Sequence, residues 1–170
     1  MKSQDPPSEK LQEIINLFTQ KRLKKALSES NQMLEKFPNS AILFNIIGAS
    51  NAGLMQYDAA LESYKKALEI RPDYAEAYFN MGVTLKDKGE SEASFDCYKQ
   101  ALKIKPNYAE AYNNIGNALK DKGDLEEAIK CYKQALMIKP NYAVAYHNMG
   151  NVQKDKGELE AAIDSYQKAL

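Results

Sequence analysis

A chain of 170 residues holding 23 basic and 23 acidic side chains carries no formal net charge, so no global field draws it to nucleic acid or to an anionic membrane. With 44% hydrophobic and 27% charged residues it has the make-up of a folding protein and not of a disordered or collagen-like one. Nowhere do about 18 apolar residues run together, and the polar start lacks the apolar stretch of a signal peptide, so a cytoplasmic protein is expected.

Residues 1–6 are polar, reach Pro6, and are expected to form a disordered tail. From there a period of 34 residues governs the chain: Pro38, Pro72, Pro106 and Pro140 keep it, and so do Gly48, Gly82, Gly116 and Gly150. The stretch 75–108 matches 109–142 at 23 of 34 positions. Five units follow: a degenerate one at 7–40, three whole ones at 41–74, 75–108 and 109–142, and a last one at 143–170 that stops before its closing proline. The first keeps Leu23, Ala26 and Pro38 but has Ile14 at the glycine slot and Ser30 at the slot that holds Tyr64, Tyr98, Tyr132 and Tyr166 elsewhere.

Within one unit, Tyr112, Ile115, Gly116 and Leu119 share one face of a first helix, since they recur at i, i+3, i+4 and i+7. Gly123 suits the left-handed residue just past that helix, and Asp124 suits the cap of the next. Leu125, Ala128, Ile129, Tyr132, Ala135 and Leu136 then mark a second helix that must stop near Pro140. Each unit is therefore a helix hairpin, and hairpins must stack to bury their apolar faces. A glycine inside the first helix costs about 1 kcal/mol relative to alanine, so its regular return calls for close helix packing in exchange. Met55 stands where Gly89, Gly123 and Gly157 end their helices, so the turn of the 41–74 unit is expected to differ. Ser94 replaces the small apolar alanine of its siblings.

The aromatic, the apolar residue with glycine, the alanine, the second aromatic, the alanine and the proline, seen as Tyr112, Ile115, Gly116, Ala128, Tyr132, Ala135 and Pro140, resemble the tetratricopeptide repeat. The resemblance implies an all-α fold, a right-handed superhelical solenoid of antiparallel helix hairpins whose first helices line an inner groove. Motifs such as Asn-Ala-Leu-Lys-Asp-Lys-Gly are similar to those in the repeat region of O-linked N-acetylglucosamine transferase and of bacterial repeat proteins.

Catalytic chemistry finds little footing. One histidine, His147, rules out sites that need two, and no glycine-rich phosphate loop exists, so no metal, no cofactor and no enzyme activity are expected. Cys97 and Cys131 sit in equivalent slots and are expected to be free thiols.

Function then belongs to a surface. On the groove side of the first helices lie Phe79, Asn80, Val83 and Lys86; Asn113, Asn114, Asn117 and Lys120; and His147, Asn148, Asn151 and Lys154. Asparagine is a middling helix former, so these amides are not there for helicity. They either bind the backbone of an extended peptide or bridge neighbouring first helices, and both roles can hold together. The lysine ladder either caps helix C-termini or grasps a ligand carboxylate. The partner expected is a protein or peptide, with no nucleic acid and no membrane. The chain is read as a binding scaffold, or else as the substrate-recruiting arm of a larger transferase of glycosyl- or sulfotransferase type. The last helix, with Tyr166, Ala169 and Leu170 facing outward, is expected to lack a cap and to offer a route to self-association.

Overall fold

A computed structural model describes residues 5–170. Among them are ten helices: α1 Ser8–Thr19, α2 Leu23–Leu34, α3 Ala41–Gly53, α4 Tyr57–Ile70, α5 Ala75–Lys88, α6 Ser91–Ile104, α7 Ala109–Lys122, α8 Leu125–Ile138, α9 Ala143–Asp155 and α10 Leu159–Lys168. No strand occurs among the described residues, and α2, α4, α6 and α8 each end a few residues before the proline that forbids continuation. The helices fall into two compact units, Met1–Cys97 and Tyr98–Leu170, with the boundary inside α6.

In each unit a first helix packs on its own second helix and on the next first helix, as α3 does with α4 and α5, and α7 with α8 and α9. Glycine makes the closest of these approaches. A Cβ on Gly48 would lie 2.5 Å from Cε1 of Tyr64, and one on Gly150 would lie 2.7 Å from Cε1 of Tyr166. Tyr64 and Tyr132 are fully buried, and each ring removes about 150–250 Å² from water. In the first unit Ile14, Leu43 and Ile46 form a core with Leu11, Met33 and Phe37 around it. In the second, Ala128, Ile129, Tyr132, Met149 and Val152 do the same.

The Ile14 and Ser30 replacements are matched. Ile14 is buried at the glycine position and Ser30 is buried at the tyrosine position, so bulk has moved from the second helix to the first. The match is incomplete, because the Ser30 hydroxyl has no hydrogen-bond partner among the described residues.

All five hairpin turns share one geometry, contrary to the expectation for Met55. Lys21, Met55, Gly89, Gly123 and Gly157 all have positive φ, at 57°, 62°, 92°, 86° and 78°. In each turn the next residue's N–H reaches back five residues, as Gln56 N donates to Asn51 O at 2.9 Å and Asp124 N donates to Leu119 O at 2.9 Å. These bonds satisfy helix-end carbonyls and outweigh the roughly 1–2 kcal/mol that a side chain costs in the left-handed region.

Two other local expectations need correction. Asp124 stands at the N-cap of α8, but its side chain makes no capping bond. The tail is also more ordered than its composition implies. Pro6 is buried, and Asp5 accepts hydrogen bonds from Ser40 Oγ and from Arg71. The rest of the expected disordered stretch, residues 1–4, lies outside the described residues. Ser40 itself caps α3, its Oγ accepting from Leu43 N at 3.3 Å.

At the loops after the second helices a cation covers a tyrosine ring. Arg71 stands 4.8 Å from the Tyr74 centroid, and Lys139 stands 4.6 Å from that of Tyr142. On α10, Leu159 and Ile163 are exposed, whereas their counterparts Leu125 and Ile129 pack with Met149 and Val152 of α9. Tyr166, expected on that outer face, packs inward against Gly150 instead.

Candidate functional site

The candidate residues lie on the first helices α5, α7 and α9. In the Met1–Cys97 unit, Asn80 on α5 donates through Nδ2 to Asn45 Oδ1 on α3 at 3.1 Å. Asn45 in turn donates to the Tyr74 hydroxyl at 3.4 Å. Phe79 and Val83 flank this pair, and both are half-buried.

The Tyr98–Leu170 unit repeats the arrangement with more amides. Asn148 on α9 donates to Asn113 Oδ1 on α7 at 2.9 Å, and Asn113 Nδ2 donates to Asn114 Oδ1 at 3.3 Å. Asn117 Oδ1 accepts from the Tyr132 hydroxyl and Asn151 Oδ1 from the Tyr166 hydroxyl, both at 2.8 Å. Burial first, and the charge of Asp121 second, push the Tyr132 phenol well above its ordinary range, so it stays a donor.

The amides therefore do bridge neighbouring first helices, through one bonded pair in each unit. Asn113 is the candidate this corrects. It is only 3% exposed and both ends of its amide are used internally, so it braces α7 against α9 and is closed to a partner. The others are half-exposed and keep polar atoms to spare. Asn80 and Asn148 spend a donor and retain their Oδ1, whereas Asn114, Asn117 and Asn151 spend Oδ1 and retain Nδ2. The tyrosine hydroxyls are functional neighbours that sequence reading missed. The signal was present, since asparagine stands fifteen residues before the core tyrosine in the last two hairpins, where the earlier ones have Ala49 and Val83.

The ion pairs near the ends of these helices belong to lysines outside the expected ladder. Lys88 bridges Asp58 at 2.9 Å and Glu90 at 2.7 Å, and Lys156 bridges Glu126 at 3.2 Å and Glu158 at 2.8 Å. These contacts raise both lysines' affinity for their protons. The side chains of Lys86, Lys120 and Lys154 take no hydrogen bond or ion pair among the described residues. His147 is exposed, its ring tilted 49° against Tyr166 at 5.6 Å.

Recesses of about 620 Å³ open elsewhere, one lined by Leu61, Met81, Leu85 and Cys97 and another by Tyr112, Met137 and Ile138. No candidate residue lines either. Among the described residues no three His, Cys, Asp or Glu side chains gather as a metal site would require, and no helix is long and apolar enough to cross a membrane. Cys97 and Cys131 are half-buried free thiols.

Comparison with known proteins follows the repeat. Family profiles described as TPR repeat match residues 56–89, 84–123 and 116–157, and one described as tetratricopeptide repeat matches 145–170. A probable UDP-N-acetylglucosamine–peptide N-acetylglucosaminyltransferase of Arabidopsis thaliana is 36% identical over 66 residues, which are 39% of this chain and 7% of the plant protein. The peroxisomal targeting signal receptor of Candida albicans is 40% identical over 47 residues, 28% of this chain and 8% of the receptor. The chain thus spans less than a tenth of either relative. Among solved structures, MamA superposes with a TM-score of 0.77 at 26% identity, covering 91% of this chain and 90% of its own. PilF of Pseudomonas aeruginosa gives 0.88 at 18% identity, covering 95% of this chain and 73% of its own.

Proposed function

Because the chain belongs to the tetratricopeptide-repeat family, whose helical-repeat fold it has, we propose that it binds an extended segment of a partner protein along the exposed sides of its first helices. One observation carries this reading. After every internal hydrogen bond is made, Asn114, Asn117 and Asn151 still hold unspent amide donors at half-exposed positions where alanine would serve the helix better. Such groups suit the carbonyl and carboxylate oxygens of an extended chain. Taken by itself, the Met1–Cys97 unit would offer a segment bound there an apolar foothold at half-buried Phe79 and Val83. The similarity to a receptor that by its name reads a targeting signal supports a peptide ligand.

A second reading is favoured by the Arabidopsis relative: these repeats serve as the recruiting arm of a larger transferase. It needs the same groove, so it differs in what is attached and not in how the segment is held.

The test is capture of partner proteins by the immobilised chain, compared with a variant carrying Asn114→Ala, Asn117→Ala and Asn151→Ala. Loss of the captured proteins at unchanged helicity supports the reading. Equal capture by the variant removes it.

A further inference from the structure

Resting on the peptide-binding reading above, we propose that Tyr132 and Tyr166 are positioning residues that hold Asn117 and Asn151 in the orientation that leaves their amide N–H groups free to donate, so that the Tyr98–Leu170 unit selects a partner segment bearing Asp or Glu side chains.

The geometry is specific. A phenol hydroxyl donates at 2.8 Å to Oδ1 of each asparagine, and the planar amide then turns Nδ2 away from the tyrosine. An unanchored amide can flip and offer either end to a ligand. Turned over, either amide would give an N–H to the phenol oxygen and leave the phenol hydrogen without its acceptor, a cost that is largest at Tyr132, which is fully buried. In this orientation each carries its two Nδ2 hydrogens on the end of the amide away from the phenol.

Lysine adds to the donor count at the same place. Lys120 follows Asn117 by three residues on α7, and Lys154 follows Asn151 by three on α9, so each pair shares one side of its helix. Neither lysine has an ion-pair partner among the described residues. A carboxylate can accept from both groups of a pair, and a charge-assisted bond is about twice as strong as a neutral one. Asp121 and Asp155 lie one residue further on and are exposed. Each offsets the charge of its lysine and competes with an incoming carboxylate, which makes them a second handle on the same interaction. The Met1–Cys97 unit has Ala49 and Val83 at the asparagine slot, so the donor pattern belongs to the Tyr98–Leu170 unit alone.

The test pans a phage library of randomised 12-residue peptides on the immobilised chain, then on Tyr132→Phe/Tyr166→Phe and on Asn117→Asp/Asn151→Asp. The first variant keeps both rings and removes only the hydroxyls. The second keeps the acceptor for each phenol and replaces the donors with charge. Peptides enriched on the unchanged chain should be rich in Asp and Glu. They should bind the phenylalanine variant about tenfold more weakly, and the aspartate variant should enrich Lys and Arg instead. Asp121→Asn/Asp155→Asn should tighten binding of the acidic peptides. If peptides lost by Asn114→Ala show the same acidic content on the chain and on both variants, the positioning role is wrong while peptide binding stands. If no peptide is enriched at all, the binding reading fails and this inference with it.

Discussion

Gly116 and Tyr132 are in contact so close that a single methyl group has no room between them: a Cβ on Gly116 would lie 2.6 Å from Cε1 of the ring. Helix propensity alone favours Gly116→Ala by about 1 kcal/mol. Tyr132 is fully buried and cannot retreat, so overpacking should cost about 1–3 kcal/mol and at least cancel that gain. Urea unfolding of the variant should show no stabilisation, and Tyr132→Leu in the same chain should relieve the clash.

The left-handed turns give the opposite sign. Met55 is 73% exposed and has a φ of 62°, so its side chain contributes little packing while straining the backbone. Met55→Gly should raise stability by about 1 kcal/mol, and Gly123→Ala should lower it by about as much. Thermal melts of the two variants against the parent chain check both signs.

Ser40 ties three pieces of chain together, since it caps α3 and donates to Asp5, which also meets Arg71. Removing it should cost more than an ordinary cap. Ser40→Ala is expected to destabilise by about 1–2 kcal/mol, and protease digestion near Asp5 should quicken.

Burial, with Asp96 adding to it, pushes the Cys97 thiol up to about 11. Iodoacetamide should therefore label Cys97 slowly near pH 8 and with a midpoint near pH 11. The folded chain holds this proton more tightly than the unfolded chain does. Its stabilising effect is full below the ordinary thiol value of about 8.5 and is lost as pH rises toward 11. Rapid labelling at pH 7.5 would contradict the burial of the thiol.

Period and residue type made the hairpins, their ends and the close helix packing at the recurring glycine legible in the sequence, because each depends on one residue and its neighbours in register, whereas the tyrosine that fills each approach came from the structure. What escaped depends on bonds between distant side chains or on backbone geometry that overrides type. Asn113 and Asn114 read alike as adjacent amides on one helix, yet only the structure shows Asn148 closing Asn113 off. Met55 reads as a departure because its type disfavours positive φ, but the turn's own hydrogen bonds impose it there and at Lys21. Asp5 looked idle because its partners Ser40 and Arg71 lie 35 and 66 residues away.

Nuclear magnetic resonance of the asparagine side-chain amides, during titration with a peptide selected from the library, tests the central claim most directly. The account predicts that the Nδ2 signals of Asn114, Asn117 and Asn151 move with the added peptide while those of buried Asn113 stay near their starting positions. Shifts confined to residues outside the first helices, with these three amides unmoved, would contradict it.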